Sequence, residues 1–122
     1  MRLLLDTNAL VRWHLKKLRP AAVRTVQRAE LVVVSAISAW EIAIKESVGK
    51  LDLRDTVEGI VARSRFHPLP VTIRHGDLLR DLPRHHSDPF DRLLIAQALD
   101  EGLTILTADR VFELYRVPVA WV

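Results

Sequence analysis

The stretch Arg2-Leu3-Leu4-Leu5-Asp6 opens the chain with three consecutive leucines that end at an acid. An uninterrupted apolar run of this kind is typical of a strand buried on both faces of a parallel sheet. Similar short runs occur at 31–34 and 103–107, and longer amphipathic stretches separate them. This alternation predicts an α/β fold with a central parallel sheet of four to five strands flanked by helices.

The composition limits the classes of protein to which the chain can belong. A length of 122 residues suits one domain, and we expect a single domain over 1–122. A hydrophobic content of 49% with 27% charged residues excludes a disordered chain. The absence of cysteine excludes a disulfide scaffold, a cysteine nucleophile and a thiolate metal site. Because Asp6 ends the first apolar run after three leucines, we expect no signal peptide and a cytoplasmic protein.

Acidic residues follow the predicted strands. In a parallel sheet the carboxyl ends of the strands and the amino ends of the following helices share one edge, where ligands bind. Asp6 follows the first strand, Asp109 follows the strand near residue 105, and Glu41 lies early in the helix after the second strand. These three acids should converge by topology alone. Asp91 joins them if the helix that starts at Asp88 begins at the same edge.

Each acid also has a local explanation. The tetrapeptide Ser38-Ala39-Trp40-Glu41 has the spacing of a capping box, in which the glutamate supports its own helix. Asp88 has the position of a helix N-cap before a proline, with Asp91 in the third helical position. Asp109 fits an N-cap and Asp6 an Asx-turn.

The four acids together are harder to explain locally. Two carboxylates about 5 Å apart repel by roughly 3 kcal/mol at an effective dielectric constant of about 20. The compensating charge could come from Lys45, Arg92 and Arg110, or from a metal ion. An oxygen-only ligand set suits Mg²⁺ or Mn²⁺ rather than Zn²⁺. With four of the 15 acids in the pocket, 11 remain against 18 basic residues. An acidic pocket on a basic body indicates a metal-dependent enzyme acting on a phosphodiester backbone.

Four motifs in this order resemble a known family over essentially the whole chain. They span residues 4–8 (LLDTN), 38–41 (SAWE), 86–96 (HSDPFDRLLIA) and 106–109 (LTAD). The chain resembles PIN-domain ribonucleases, specifically VapC-type toxins of toxin–antitoxin systems. The resemblance implies Mg²⁺- or Mn²⁺-dependent cleavage of RNA to 5′-phosphate and 3′-hydroxyl ends. It also implies a homodimer and inhibition by a small antitoxin protein.

The family's acidic residues map onto the same four positions. We hypothesise that Asp6 and Asp91 are direct metal ligands, and that Glu41 and Asp109 hold a second metal ion or its water molecules. The residues suggested to support them are Asn8, Thr107, Asp88 and Arg92. Asn8 and Thr107 would hold carboxylates or metal-bound water, or else serve turns and caps. Asp88 fits an N-cap better than a ligand.

Basic residues near the acids suggest an RNA track. Arg92 and Arg110 each follow an acid, where they would contact phosphates, support the carboxylates or form solvated ion pairs. The residues assigned to RNA binding are Arg80, Arg84, His86 and Arg110, with a solvated loop as the alternative. Trp40 stands in an apolar context that favours the core or an interface.

Two other functions remain as alternatives. A PIN fold without catalytic activity would serve as an RNA-binding or interaction module. A receiver domain of a signalling system has a similar size and binds Mg²⁺ through acids. Receiver domains need adjacent acids after the first strand, whereas Asp6 is followed here by Thr7 and Asn8. The sequence therefore favours the nuclease.

Overall fold

The computed structural model describes residues 1–122 as a parallel sheet between two layers of helices. The strands are β1 (Arg2–Leu5), β2 (Leu31–Ser35), β3 (His67–Leu69), β4 (Thr104–Thr107) and β5 (Val119–Trp121). The α-helices are α1 (Thr7–His14), α2 (Pro20–Arg28), α3 (Ala36–Ser47), α4 (Val57–Ser64), α5 (Ile73–Leu78) and α6 (Pro89–Glu101). Two 3-10 turns cover Leu79–Asp81 and Arg110–Leu114.

All strand pairings in the sheet are parallel, in the order β3-β2-β1-β4-β5. The prediction of an α/β fold with a central parallel sheet is therefore confirmed. The chain builds outward from β1 to β2 and β3, then crosses to the other side of β1 for β4 and β5. The strand order thus switches direction between β1 and β4. In open α/β sheets the crevice beyond the carboxyl ends of the strands at such a point is where ligands bind.

Alternate residues of the strands enter two separate apolar layers. In β1, Leu3 and Leu5 pack with α1, α2 and α4, whereas Leu4 packs on the opposite face against Leu94 and Ile95 of α6. All three leucines are fully buried. The period of two in a strand produces this division, because successive side chains leave opposite faces of the sheet. The central strand is thus fixed from both sides, and so is the edge that Asp6 follows.

The start of helix α3 differs from the prediction. The capping box beginning at Ser38 is wrong, because β2 continues to Ser35 and the helix follows without a loop. The Ser35 hydroxyl is the cap and accepts a hydrogen bond from the Ile37 N–H at 3.1 Å. Ser38 lies inside the helix, where its hydroxyl accepts a 2.9 Å hydrogen bond from the Thr7 hydroxyl. Glu41 therefore lies in the second turn, and helix capping does not explain its carboxylate.

Helix α6 follows its sequence signals. Asp88 caps the amino end by accepting hydrogen bonds from the Phe90 and Asp91 N–H groups at 2.9 and 3.1 Å. Gly102 ends the helix with φ +67°, a left-handed conformation that favours glycine. Since α6 leads directly into the parallel strand β4, its amino end lies at the carboxyl edge of the sheet. None of the helices has both the length and the apolar character that a membrane crossing requires.

Candidate metal centre

Asp6 lies at the switch point of the sheet. One carboxylate oxygen accepts a hydrogen bond from the Ala9 N–H at 2.7 Å and so caps α1, and the other accepts from the Thr107 hydroxyl at 2.5 Å. The Thr107 hydroxyl in turn accepts from the Asp109 N–H at 3.0 Å. This chain links β1 to the end of β4. Thr107 thus makes the supporting contact suggested for it by the sequence.

The environment of Asp6 disfavours its ionised form. Burial raises the pKa of Asp6, and the negative charges of Glu41 and Asp109 raise it further against the effect of its hydrogen bonds. A carboxyl group in this position gains from a nearby cation, since both causes oppose its negative charge. Asp109 itself is exposed, and one of its oxygens accepts from the Val111 N–H at 3.0 Å.

Asp91 joins the other acids in the structure. Burial raises its pKa to about 7, and further contributions come from the negative charges of Asp88, Asp6, Glu41 and Asp109. The sequence left open whether α6 starts at the same edge as the other three acids. The amino end of α6 is at that edge, so all four predicted acids share one electrostatic environment. A carboxyl with a pKa near 7 points to a functional site or to a missing counter-charge.

Glu41 has one satisfied and one unsatisfied oxygen. Its Oε2 forms an ion pair with Lys45 Nζ at 2.8 Å, one helical turn later. Its Oε1 is buried and has no hydrogen-bond partner. A buried carboxylate oxygen without a partner costs free energy unless a cation or donor binds it. Glu41 therefore presents an unused ligand atom.

The basic residues offered as counter-charges do not neutralise the cluster. Arg110 forms an ion pair with Glu113 at 2.9 Å and lies over the ring of Trp121. Arg92 is buried and donates to the carbonyl oxygens of Pro83 at 2.8 Å and Leu82 at 3.3 Å. Its guanidinium thus ties down the loop before α6, and it forms neither the solvated ion pair nor the carboxylate contact considered from the sequence. Of the three candidates, only Lys45 pairs with one of the four acids.

The residues present fit a hard divalent cation. All four side chains offer carboxylate oxygens, which Mg²⁺ and Mn²⁺ prefer. No three of them bring ligand atoms within 4.8 Å of one another. The wider spacing suits Mg²⁺, which usually retains several of its water molecules. The donor set of four acids, with one lysine paired to Glu41, therefore fits a divalent cation.

The remaining predicted residues lie in several settings. Asn8 is exposed, and its side chain forms no hydrogen bond to the acids. Asp88 is the N-cap, as favoured from the sequence. Arg84 is exposed, and Arg80 lies 4.0 Å from Asp77 on the same exposed turn. His86 points inward rather than along an exposed track, with 18% of its side chain exposed.

Sequence reasoning missed the surroundings of His86. Its Nε2 lies 3.4 Å from Asp91 Oδ2, and its Nδ1 lies 2.6 Å from the hydroxyl of Tyr115. Tyr115 is 29 residues further along the chain and fully buried. No short motif connects residues so far apart. From the sequence, His86 was predicted only to bind RNA.

A second group of potential metal ligands lies at the other end of α6. The nitrogen Nε2 of His75 is 3.4 Å from Asp100 and 3.5 Å from Glu101. The Thr72 N–H donates to Nδ1 of His75 at 3.0 Å, so in neutral His75 the proton must be on Nε2. A protonated nitrogen cannot bind a metal ion. This group is therefore a histidine whose Nε2 faces two carboxylates without forming a hydrogen bond to either.

The fold and the acidic crevice define a class, namely small parallel α/β domains with a carboxylate site at the switch point of the sheet. The family model described as PIN domain matches residues 3–118. The chain therefore belongs to the PIN domain family, as its motifs indicated. PIN domains are generally nucleases, and PIN nucleases typically use divalent metals. No curated protein matches the sequence.

Solved structures share the fold over nearly the full length. VapBC2 from Rickettsia felis bound to a DNA fragment from its promoter has a TM-score of 0.78 at 15% identity, covering 100% of this chain and 99% of that chain. DNA-bound VapBC from Salmonella typhimurium has a TM-score of 0.74 at 21% identity, covering 99% and 98%. A toxin–antitoxin complex from Klebsiella pneumoniae has a TM-score of 0.65 at 18% identity, covering 97% and 95%. At these identities the likeness shows a common fold.

Proposed function

We propose that this protein is a Mg²⁺- or Mn²⁺-dependent endoribonuclease that acts in the cytoplasm as the toxin of a toxin–antitoxin pair. One observation carries the proposal. Four acids, Asp6, Glu41, Asp91 and Asp109, meet at the switch point of the sheet with a single lysine among them. Three features are expected of carboxylates that bind a cation. The pKa values of Asp6 and Asp91 are raised, and one oxygen of Glu41 has no hydrogen-bond partner.

The acids have separate roles in the proposed reaction. Asp6 and Asp91 would bind the metal ion directly, and Glu41 and Asp109 would hold a second ion or coordinated water. When bound, the ion supplies a water of lowered pKa and neutralises charge that develops on the phosphoryl group. Thr107 orients Asp6 through its 2.5 Å hydrogen bond. A carboxylate of the pocket accepts the proton of the attacking water.

The surface charge supports a nucleic-acid substrate. Outside the four acids, 18 basic residues stand against 11 acidic ones. Arg84 and Arg80 are exposed on the segment that precedes α6, and Arg110 follows Asp109. We propose that these arginines contact phosphates. RNA affinity should then fall by about 0.7 log unit per log unit of salt for each phosphate neutralised, and Arg84→Gln should reduce that slope.

The proposed partners follow from the exposed apolar residues. Trp40 and Ile44 of α3 and Val48, which caps its carboxyl end, are spaced four residues apart, and all three are exposed, Trp40 by 60%. An apolar row of this kind on a small domain is typical of a protein–protein contact. We propose a homodimer and a small antitoxin as the partners. Light scattering of the purified chain, with Ile44→Glu as the variant, tests the homodimer.

The decisive experiment is cleavage of a mixed RNA pool by the purified, partner-free protein in Mg²⁺, Mn²⁺ or EDTA. Asp6→Asn and Glu41→Gln should abolish the metal-dependent cleavage. Both are close in shape to the native side chain, and the amide at position 6 retains an oxygen for the Ala9 N–H. Glu58→Gln makes the same chemical change on the exposed surface of α4 and should cleave like the wild type.

Two results would count against the proposal. Full activity of Asp6→Asn would remove this residue from the site. A folded wild type that binds Mn²⁺ but cuts neither the pool nor structured RNAs such as tRNA would favour the alternative, a PIN domain that only binds RNA.

A further inference from the structure

The hydroxyl of Tyr115 joins three groups around His86. It accepts hydrogen bonds from the His86 backbone N–H and from Arg92 Nη1, each at 3.2 Å. Its third neighbour is Nδ1 of the His86 ring, at 2.6 Å. A phenolic hydroxyl has one proton to donate, and both incoming partners are donors. The Tyr115 proton must therefore go to Nδ1.

This arrangement determines the protonation of the imidazole ring. When Nδ1 accepts a hydrogen bond, the neutral ring carries its proton on Nε2. That nitrogen faces Asp91 Oδ2 at 3.4 Å, and both side chains are about four-fifths buried. A donor there constrains one oxygen of Asp91, whose side chain makes no other hydrogen bond. The other oxygen stays available to a metal ion.

We propose that His86 is a positioning residue for Asp91, and that Tyr115 holds its ring in the tautomer that donates to this carboxylate. The inference rests on the proposed function for its activity readout, whereas the tautomer itself can be measured without RNA or metal. Residues that orient metal ligands in this way typically change metal affinity or activity by about 10–100-fold when they are lost.

The alternative role of His86, as a contact to RNA, has less support. A residue that reads RNA must reach the solvent, whereas this ring is held on both sides by buried partners. The neighbouring His85 is exposed and packs edge-on against Tyr115, with ring centroids 4.9 Å apart. The two roles also predict different kinetics. A positioning residue changes kcat and metal affinity, whereas an RNA contact changes KM.

Two substitutions of nearly identical chemistry separate these possibilities. His86→Gln extends an amide far enough to place an N–H where Nε2 stands. His86→Asn carries the same amide one bond shorter and cannot reach Asp91. We expect His86→Gln to retain Mn²⁺ affinity and kcat to within about threefold. We expect His86→Asn to lose about 10-fold or more in both, with KM for RNA unchanged. His85→Gln is the neighbouring control and should resemble the wild type.

The tautomer is measured by ¹⁵N NMR of the histidine rings in the metal-free protein, with His86 assigned from the spectrum of His86→Gln. The wild type should show the Nε2–H form at His86. Tyr115→Phe, which removes only the hydroxyl, should produce a tautomer mixture at His86. His75 should remain Nε2–H in both proteins, because the Thr72 N–H holds it independently.

Each outcome decides the proposal. An Nδ1–H form at His86 in the wild type, or equal Mn²⁺ affinities for the Gln and Asn variants, would overturn it. A change confined to KM would assign His86 to RNA instead. If the wild type cuts no RNA at all, the proposed function fails, whereas the NMR and Mn²⁺ measurements still test the role of His86. Should Tyr115→Phe not fold, the Gln and Asn pair alone decides.

Discussion

Helix α6 has two carboxylates near each end and a histidine beside each pair. At its amino end Asp88 and Asp91 lie with His86, and at its carboxyl end Asp100 and Glu101 lie with His75. Both histidines use Nδ1 as an acceptor and direct Nε2 at a carboxylate. The two regions differ in their positive charge. Arg74 lies 2.6 Å from Asp100, whereas no lysine or arginine pairs with Asp91.

The difference follows from what each end requires. Acidic residues are unfavourable at the carboxyl end of a helix, where the macrodipole is negative, and the ion pair of Arg74 with Asp100 offsets them there. At the amino end the dipole favours an acid. Asp91 nevertheless has its pKa raised to about 7, because burial and four neighbouring acids outweigh that benefit. Asp100 thus has a counter-charge within the chain, whereas Asp91 has none and is the candidate for binding a cation.

The strongest test of this comparison is to remove the same charge at each end. If Asp91 binds the metal ion as proposed, Asp91→Asn should reduce RNA cleavage by on the order of a thousandfold. Asp100→Asn should leave cleavage unchanged.

Asp91→Asn should lower cleavage but raise the free energy of unfolding at neutral pH. Because the pKa of Asp91 is raised in the folded protein, the folded state binds more protons than the unfolded state between 3.8 and about 7. The free energy of unfolding therefore falls as pH rises through this window, and Asp91→Asn should reduce that fall, with the remainder coming from Asp6, whose pKa is also raised. Thermal melts of the wild type, Asp91→Asn and Asp100→Asn across this pH range measure the fall in stability. A wild type that is more stable above pH 7 than Asp91→Asn would contradict the prediction.

A second test concerns His75 alone. The ring is 1% exposed and completes the capping box of α5 with Thr72. His75→Ala should lower the free energy of unfolding by about 2 kcal/mol, through lost packing and the unpaired Thr72 N–H, and leave the kcat for RNA unchanged. Urea denaturation measures the loss. Arg74→Ala is the control on the same helix, and the loss of its exposed ion pair should lower the free energy of unfolding less than His75→Ala does.

A third test uses the metal ion itself. Because a metal ion binds the ionised carboxylate, a pKa of about 7 at Asp91 requires proton release on binding. Mn²⁺ affinity should rise about tenfold between about pH 6 and about pH 8 and level off above that range. Calorimetric titration measures both affinity and released protons. Asp100→Asn should bind Mn²⁺ as the wild type does, and a loss there would place the metal at the wrong end of α6.

The smallest expected effect concerns the N-cap of α6. Asp88→Ala should cost about 1 kcal/mol of stability, because the Phe90 and Asp91 N–H groups lose their acceptor. Asp88→Ser keeps an acceptor without the charge and should restore that stability. It should also lower the pKa of Asp91, because the charge of Asp88 contributes to its elevation. NMR titration of the Asp91 carboxyl checks this, and an unchanged pKa would argue against the contribution.

Much of this molecule follows from local patterns in the sequence. The leucines at 3–5 predict the central strand, because a short continuous apolar run is typical of a strand buried on both faces. The Asp88-Pro89 start and the Gly102 end predict α6, because these residues satisfy the unpaired groups at helix ends. The parallel topology then brings Asp6, Glu41 and Asp109 to one edge. Each of these inferences depends on neighbours within a few residues or on the general rules of parallel sheets.

Other features depended on contacts between distant parts of the chain. Placing Asp91 with the other acids required knowledge of the direction of α6 relative to the sheet. Ser35, and not Ser38, caps α3 because β2 extends one residue beyond its apolar run. Arg92 turned to backbone carbonyl groups, and Tyr115 met His86 across 29 residues. The sequence determined that Asp6, Glu41 and Asp109 meet, because each lies just after a strand of a parallel sheet. The tertiary structure alone decided which cations and hydrogen-bond donors face them, because those contacts depend on where loops and helix ends pack.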